Sequence, residues 1–207
     1  MDTAPERAKS FGAAAQDYDR YRVGPPAAIV AEVTPAHCEA VLDLGAGTGA
    51  LTRHLVGRFP TVFAVEPDQR MRDVLTGSCP SAVALDGVAE KIPLPDASVD
   101  AVLVSSAWHW MDPALAIPEI ARVLRPGGQY LFLEHVRSPD NRVLAAFQDV
   151  IAVPHTYVAA GCHPNRRFEA LLEESPLTVQ RVEHGPMPRA FPSVRPTVRG
   201  VAVAPTG

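Results

Sequence analysis

Lysine is nearly missing from this chain: Lys9 and Lys91 are the only two in 207 residues. No Tyr-x-x-x-Lys pair can be built from them, which removes the catalytic signature of a large group of nicotinamide-dependent oxidoreductases. Cysteine is scarce as well. Cys38, Cys79 and Cys162 form an odd, widely separated set that fits neither a disulfide framework nor the spacing of a metal site, so no metal is expected and a reducing, cytoplasmic setting is. There is no basic excess, with 19 Lys+Arg against 23 Asp+Glu and a net charge of -4, and a nucleic-acid partner is therefore not expected. No apolar run approaches the ~20 residues needed to cross a bilayer. The polar, acidic N-terminus does not read as a signal peptide, and a membrane partner is not expected either. Internal repeats and long low-complexity segments are also absent.

The chain does have enough apolar residues, at 47%, for one core of ordinary size. Its most informative stretch is Val41-Leu42-Asp43-Leu44-Gly45-Ala46-Gly47-Thr48-Gly49. A short apolar run meets an acid and a glycine-rich turn, and Leu51, Leu55, Val56 and Phe59 then follow at helical spacing. A buried parallel strand turning into a helix in this way brings a nucleoside-containing cofactor against bare backbone. Glycine is required where a Cβ would meet the ligand or forbid a positive φ. Two cofactor classes remain open. Gly45-x-Gly47-x-x-Ala50 satisfies a dinucleotide fingerprint, and Glu66, 21 residues after Gly45, stands where an acid holding ribose hydroxyls belongs. The acid at Asp43 favours the other class, because a carboxylate there repels a pyrophosphate but tolerates an ammonium and a sulfonium.

Further strands and helices follow in alternation. Thr61–Val65 reads as a strand ending in Glu66-Pro67-Asp68, with Pro67 placed to open a helix whose apolar face carries Met71, Val74 and Leu75. Leu85-Asp86-Gly87-Val88-Ala89-Glu90 leads to Ile92-Pro93-Leu94-Pro95-Asp96. A buried strand at Val99–Val104 ends in Ser105 to Trp110, the edge where open α/β sheets bind ligands. Asp112-Pro113 starts a helix with Ile117, Ile120, Ala121 and Leu124 on one face; Arg122–Gly128 ends it and Gln129–Glu134 is the next strand.

From Phe11 to Glu134 the chain resembles the small-molecule class I methyltransferases that use S-adenosylmethionine, of the methyltransferase type 11 group. The motif (D/E)-x-G-x-G-x-G is met in full by Asp43–Gly49. Val65-Glu66-Pro67, Ala89-Glu90-x-x-Pro93-Leu94, Ala107-Trp108-His109-Trp110 and Arg122-Val123-Leu124-x-Pro126-Gly127-Gly128 match as well. The resemblance implies a Rossmann-like α/β fold: a seven-stranded, mostly parallel sheet with helices on both faces and a C-terminal antiparallel hairpin. It implies a single domain, with cap helices over 1–35, a cofactor-binding core over 36–136, and a substrate-facing insertion with closing strands over 137–207. S-adenosylmethionine would be the cofactor and S-adenosylhomocysteine the product. Gly45, Ala46, Gly47, Glu66, Pro67, Met71, Val88, Ala89 and Ser105 would line its site, and Asp86 would reach the adenine amine. Phe11-Gly12-x-x-Ala15-x-x-Tyr18-x-x-Tyr21 resembles a covering helix, with Tyr18, Tyr21 or Arg22 at the methionine carboxylate. The chain carries neither the Pro-Pro-Tyr loop nor the Pro-Cys nucleophile of nucleic-acid methyltransferases.

A small-molecule acceptor is then expected, with oxygen or sulfur favoured, and a monomer or homodimer. His109 is the first candidate base and His135 the second, and Trp108 or Trp110 is placed to line an apolar pocket or face the sulfonium. The arginine- and proline-rich, lysine-poor composition points to a GC-rich bacterial genome and to specialised metabolism. In the last third, helices are expected over Asn141–Ile151, with Val143, Leu144, Phe147, Val150 and Ile151 on one side, and over Arg167–Glu174. A loop from Pro154 to His163 separates them, and Leu177–His184 and Val198–Val203 read as closing strands. Leu133-Glu134-His135-Val136 with Gln148, Pro154, Gly161-Cys162 and Arg166 or Arg167 faintly resembles the alkyl-thiol methyltransferases. A non-catalytic S-adenosylmethionine-binding protein and a nicotinamide-dependent oxidoreductase are the alternatives.

Overall fold

The computed structural model describes residues 15–21, 24–25, 27–105, 107–158, 163–186 and 191–206. Two helices, α1 (Ala15–Tyr21) and α2 (Ala27–Val33), precede strand β1 (Ala40–Leu44), all five residues of which are buried. Then come α3 (Thr52–Leu55), β2 (Thr61–Val65), α4 (Gln69–Ser78), β3 (Val83–Leu85) and β4 (Val99–Leu103). Helix α5 (Pro113–Val123) leads into β5 (Leu124–His135). After α6 (Arg142–Val158) and α7 (Phe168–Glu173) the chain closes with β6 (Thr178–Pro186) and β7 (Pro196–Val203).

The seven strands lie in the order β3-β2-β1-β4-β5-β7-β6. The first five are parallel and β7 runs antiparallel to both of its neighbours, as the family resemblance implies. Parallel strands need crossovers, so both faces of β1 and β4 are covered. On one face Leu42, Leu44, Val102, Ile117, Ile120, Tyr130 and Phe168 pack together. On the other, Val30, Val41, Leu51, Leu55, Leu103 and Leu131 do. Each fully buried aliphatic side chain contributes about 1.5–3 kcal/mol of transfer free energy. Asp100 fastens the entry to β1 by accepting the Glu39 and Ala40 amides at 2.7 and 2.9 Å.

Five local expectations are corrected. The helix after the glycine turn is one turn long, because Gly57, at φ +80°, ends it. Pro67 lies outside α4, and Asp68 is its N-cap, accepting the Arg70 amide at 2.9 Å. Strand β5 begins at Leu124, with Arg125–Gly128 taken up between the Val99–Leu124 and Ala101–Gln129 pairs. Helix α6 runs through Pro154 to Val158 where a loop is expected. The hydrogen bond that a proline forfeits falls there on an exposed stretch, Val150 and Val153 being 78% and 69% accessible. The stripe that this helix buries is also shifted from the expected one, keeping Leu144 and Ile151 half-buried and adding Ala145 and Gln148. Val143, Phe147 and Val150 face outward and Gln148 is fully buried, bonding Ser138, Val136, Pro164 and Ser193 of the surrounding backbone.

Candidate active site

The glycine turn joins the carboxyl end of β1 to that of β2. Gly45 and Ala46 donate to the Val65 carbonyl at 2.9 and 3.0 Å, and Gly49 donates back to Ala46 at 2.9 Å. Gly45, Gly47 and Gly49 all have positive φ, so the sequence pattern is a backbone requirement. The three differ in what surrounds them. A Cβ on Gly45 would come within 2.5 Å of Ala107 Cβ, whereas one on Gly47 would meet no protein atom within 4 Å. Gly45 is thus small because the chain itself packs on it, and Gly47 leaves an open backbone edge of the kind a ligand needs.

Glu66 stands at the end of β2 and spans this edge. Oε2 accepts the Gly47 amide and Oε1 the Asp68 amide, each at 2.9 Å. Burial raises its pKa, while the bonds from Asp68 and Gly47 pull it back. Asp43 faces inward, accepting the Thr52 hydroxyl at 2.6 Å with 1% of its surface exposed. Burial pushes its pKa up to about 7 against the opposing Thr52 bond. The electrostatic preference drawn from Asp43 is therefore corrected: near neutral pH it is a partly protonated staple between β1 and α3, not a full charge at the ligand edge.

Asp86 sits just past β3 with its side chain 73% exposed and paired to Arg72 at 2.9 Å. Arg72 is a residue that the sequence reading missed. It is buried, and its guanidinium also donates to the Glu66 carbonyl and to Gln69, both at 2.6 Å. An arginine on the face that α4 turns inward is the available signal, since such a charge requires partners. Met71 and Ala89 are buried, Val88 forms an isolated bridge with Lys91, and Ser105 lies two residues past the end of β4. Asp19 of α1 pairs with Arg53, which in turn donates to the Thr48 carbonyl at 3.2 Å, so α1 lies over the glycine turn. Tyr18 and Tyr21 belong to α1, but their side chains, like Phe11, Gly12, Arg22 and Cys162 as a whole, lie outside the described part of the molecule.

Beyond β4 the chain forms a 3-10 turn, Trp108–Trp110. Trp108 is corrected from pocket wall to core: 1% exposed, it meets Phe168 edge-on at 5.4 Å and Tyr130 at 6.1 Å. His109 and Trp110 are half-buried, with ring centroids 4.7 Å apart. His135 ends β5 on the side of β7. Burial lowers its pKa and the Val194 backbone opposes that shift, with His155 nearby. Glu134, which sequence reading passed over as a strand end, has its pKa raised to about 8 by burial, with Arg166 opposing. Arg166 itself donates to the Trp108 carbonyl at 3.0 Å. Among the described residues no His, Cys, Asp or Glu cluster suits a metal ion, and no helix is long and apolar enough to cross a membrane.

Known proteins match this arrangement. Residues 42–132 fit the family model described as a methyltransferase domain. A malonyl-[acyl-carrier protein] O-methyltransferase of Methylococcus capsulatus is 32% identical over 201 residues, covering 89% of this chain and 70% of that protein. An uncharacterized methyltransferase of Mycobacterium tuberculosis is 58% identical over 120 residues, or 58% of this chain; there the match spans about half of the relative, 49%. The solved structure of an S-adenosylmethionine-dependent methyltransferase from Thermotoga maritima, described as a possible histamine N-methyltransferase, superposes with a TM-score of 0.65. It is 19% identical, with 94% of this chain and 97% of that one covered. With the acid-glycine turn, the strand order and the Glu66 clasp in place, the chain belongs to the class I S-adenosylmethionine-dependent methyltransferases.

Proposed function

We propose that this chain transfers a methyl group from S-adenosylmethionine to a small molecule through an oxygen or sulfur nucleophile. The observation that carries this is the open Gly47 edge clasped by Glu66 at the carboxyl end of the sheet. That edge fits the cofactor: its glycine leaves room for a ligand, and its acid ends a neighbouring strand where ribose hydroxyls belong. Glu66 would hold the ribose, Gly45, Ala46 and Gly47 the adjoining backbone, and Asp86, Val88 and Ala89 the adenine. Pro67, Met71 and Ser105 complete the wall, with Tyr18, Tyr21 and Arg22 assigned to the methionine end.

When bound, the cofactor supplies a methyl group already activated by its sulfonium. The protein's part is alignment and water exclusion. With the cofactor held there, methylation of the acceptor's oxygen or sulfur would leave S-adenosylhomocysteine and would require a base in the protein to take the acceptor's proton. His109, next to the end of β4, is assigned that role, with His135 second. A thiol, at a pKa of about 8.5, needs the base less than a phenol or alcohol does. A specialised-metabolic acceptor is consistent with this assignment.

Isothermal titration with S-adenosylhomocysteine, alongside NADH and NADPH, tests the cofactor. Micromolar binding of S-adenosylhomocysteine alone is expected, and binding of a nicotinamide instead would overturn the assignment. Labelled methyl transfer to panels of thiols and phenols tests the reaction. His109→Ala is expected to slow an oxygen acceptor by about 10²–10⁴-fold; an unchanged rate would remove His109 as the base.

A further inference from the structure

On the face of the sheet that carries α2, a cavity of about 600 Å³ lies between that helix and the strands β5, β7 and β6. One end is formed by Ser105, after β4, and by Leu51, two residues past the last glycine of the turn. Its walls are apolar, with Val30 and Val33 of α2 facing Leu131 and Leu133 of β5. The far end is charged, with Arg181, Arg199 and Glu183 lining it. Glu183 is held by Arg199 at 2.6 Å and approached by Arg181 at 3.9 Å. Two guanidiniums thus share one carboxylate, leaving an excess of positive charge at that end.

Three features point to a small-molecule site. The volume falls within the range of roughly 300–1,000 Å³ typical of such sites. An apolar chamber ending in a few polar groups is their usual composition. Leu133, although 44% exposed, stands on the cavity wall in the middle of a sheet, between the Arg199 partner across the ladder and Leu131 below. We propose that this chamber takes the methyl acceptor, and that the acceptor is amphipathic, with an extended apolar body and an anionic head. The body lies along Leu131, Leu133 and Val33, the head at Arg181 and Arg199, and the nucleophilic end at Ser105. This rests on the methyltransferase assignment, because only that makes the Ser105 end the reacting one.

The test is isothermal titration of the full chain with decanoate, with decyltrimethylammonium, and separately with S-adenosylhomocysteine. Decanoate is expected to bind about tenfold or more tighter than the cation. Leu133→Trp, which fills the wall, is expected to weaken decanoate about tenfold or more while leaving S-adenosylhomocysteine affinity unchanged. Val33→Phe serves as a second filling variant should Leu133→Trp fail to melt cooperatively. Arg181→Gln combined with Arg199→Gln is expected to erase the preference for the carboxylate. Equal decanoate binding by the wild type and a folded filling variant would overturn the chamber, and equal affinity for the two amphiphiles would overturn the anionic head. Decanoate binding with no S-adenosylhomocysteine binding would strike the cofactor assignment and leave the chamber standing.

Discussion

The Gly47 amide donates to Glu66 Oε2 at 2.9 Å, so the acid that closes β2 also holds the turn that closes β1. Glu66 serves the fold and the proposed ligand at once. Glu66→Ala leaves the Gly47 and Asp68 amides without their acceptor. It is expected to weaken S-adenosylhomocysteine by about ten- to a hundredfold and to destabilise the chain by about 1–3 kcal/mol. Glu66→Gln, which keeps one acceptor oxygen, should fall between the two. Calorimetric titration and thermal melting read both effects, and full affinity in Glu66→Ala would remove it from the cofactor site.

Gly45 and Gly47 separate structure from binding. Gly45→Ala drives a Cβ to within 2.5 Å of Ala107 and 3.1 Å of Met111, and overpacking of that kind costs about 1–3 kcal/mol. Gly47→Ala meets no protein atom and pays only for its φ of +57°, about 1 kcal/mol. The expected pattern is a large melting shift with Gly45→Ala and a small one with Gly47→Ala. S-adenosylhomocysteine affinity should nonetheless fall in Gly47→Ala. The same affinity in both Gly47→Ala and wild type would show that no ligand reaches this edge.

Arg122 ties down the loop between β3 and β4. Its guanidinium donates to the Ile92 and Leu94 carbonyls, both at 2.9 Å, and pairs with Glu119 and Asp96. The segment from Asp86 to Ser98 contains no helix, so these bonds take over the work a crossover helix would do. Arg122→Met keeps much of the aliphatic bulk and removes the donors. A loss of about 1–3 kcal/mol is expected, with faster amide exchange at Ala97 and Ser98, whose amides bond the Arg122 and Val123 carbonyls. Unchanged exchange there would mean that packing of Ile92 and Leu94 alone holds the loop.

Much of this arrangement was legible in the chain because strong local patterns coincide with it. Thr61–Val65 was readable to the residue, since a threonine and four apolar residues end at an acid and a proline. The Asp112 cap was readable because Pro113 follows it. Partnerships across the fold were not. Nothing near Asp43 announces that Thr52 will bury and bond it, and nothing near Arg72 announces Asp86 and the Glu66 carbonyl. Helix α6 misled for a related reason: Val143, Phe147 and Val150 make a convincing apolar face, yet the buried face is organised by Gln148, whose four bonds come from distant backbone. The chamber beside β5 was invisible, because it depends on residues of α2, β5, β6 and β7 that are distant in the chain.

Three carboxyl groups that burial raises, Asp43, Glu66 and Glu134, set a pH dependence whose sign follows from their position. Burial raises Glu134 to about 8 and Asp43 to about 7 in the folded chain, whereas in the unfolded chain both ionise near 4. Between those limits the folded state holds protons that the unfolded state has released, so the stability these groups contribute is complete below about pH 4 and is lost as pH rises through their folded values. Asp68 and Glu119 act the other way. Hydrogen bonds from Arg70 and Arg122 lower their values, and what they contribute is lost as pH falls below about 4. The melting temperature is therefore expected to peak in mildly acid buffer and to decline towards pH 8–9. Glu134→Gln removes one of these raised titrations while preserving shape, and should flatten that decline, as should Asp43→Asn, whose amide oxygen can still accept from Thr52. Calorimetric melting across the range measures the slope directly. A decline as steep in Glu134→Gln as in the wild type would show that Glu134 is ionised in the folded chain, and Arg166 would then be holding it as an ion pair.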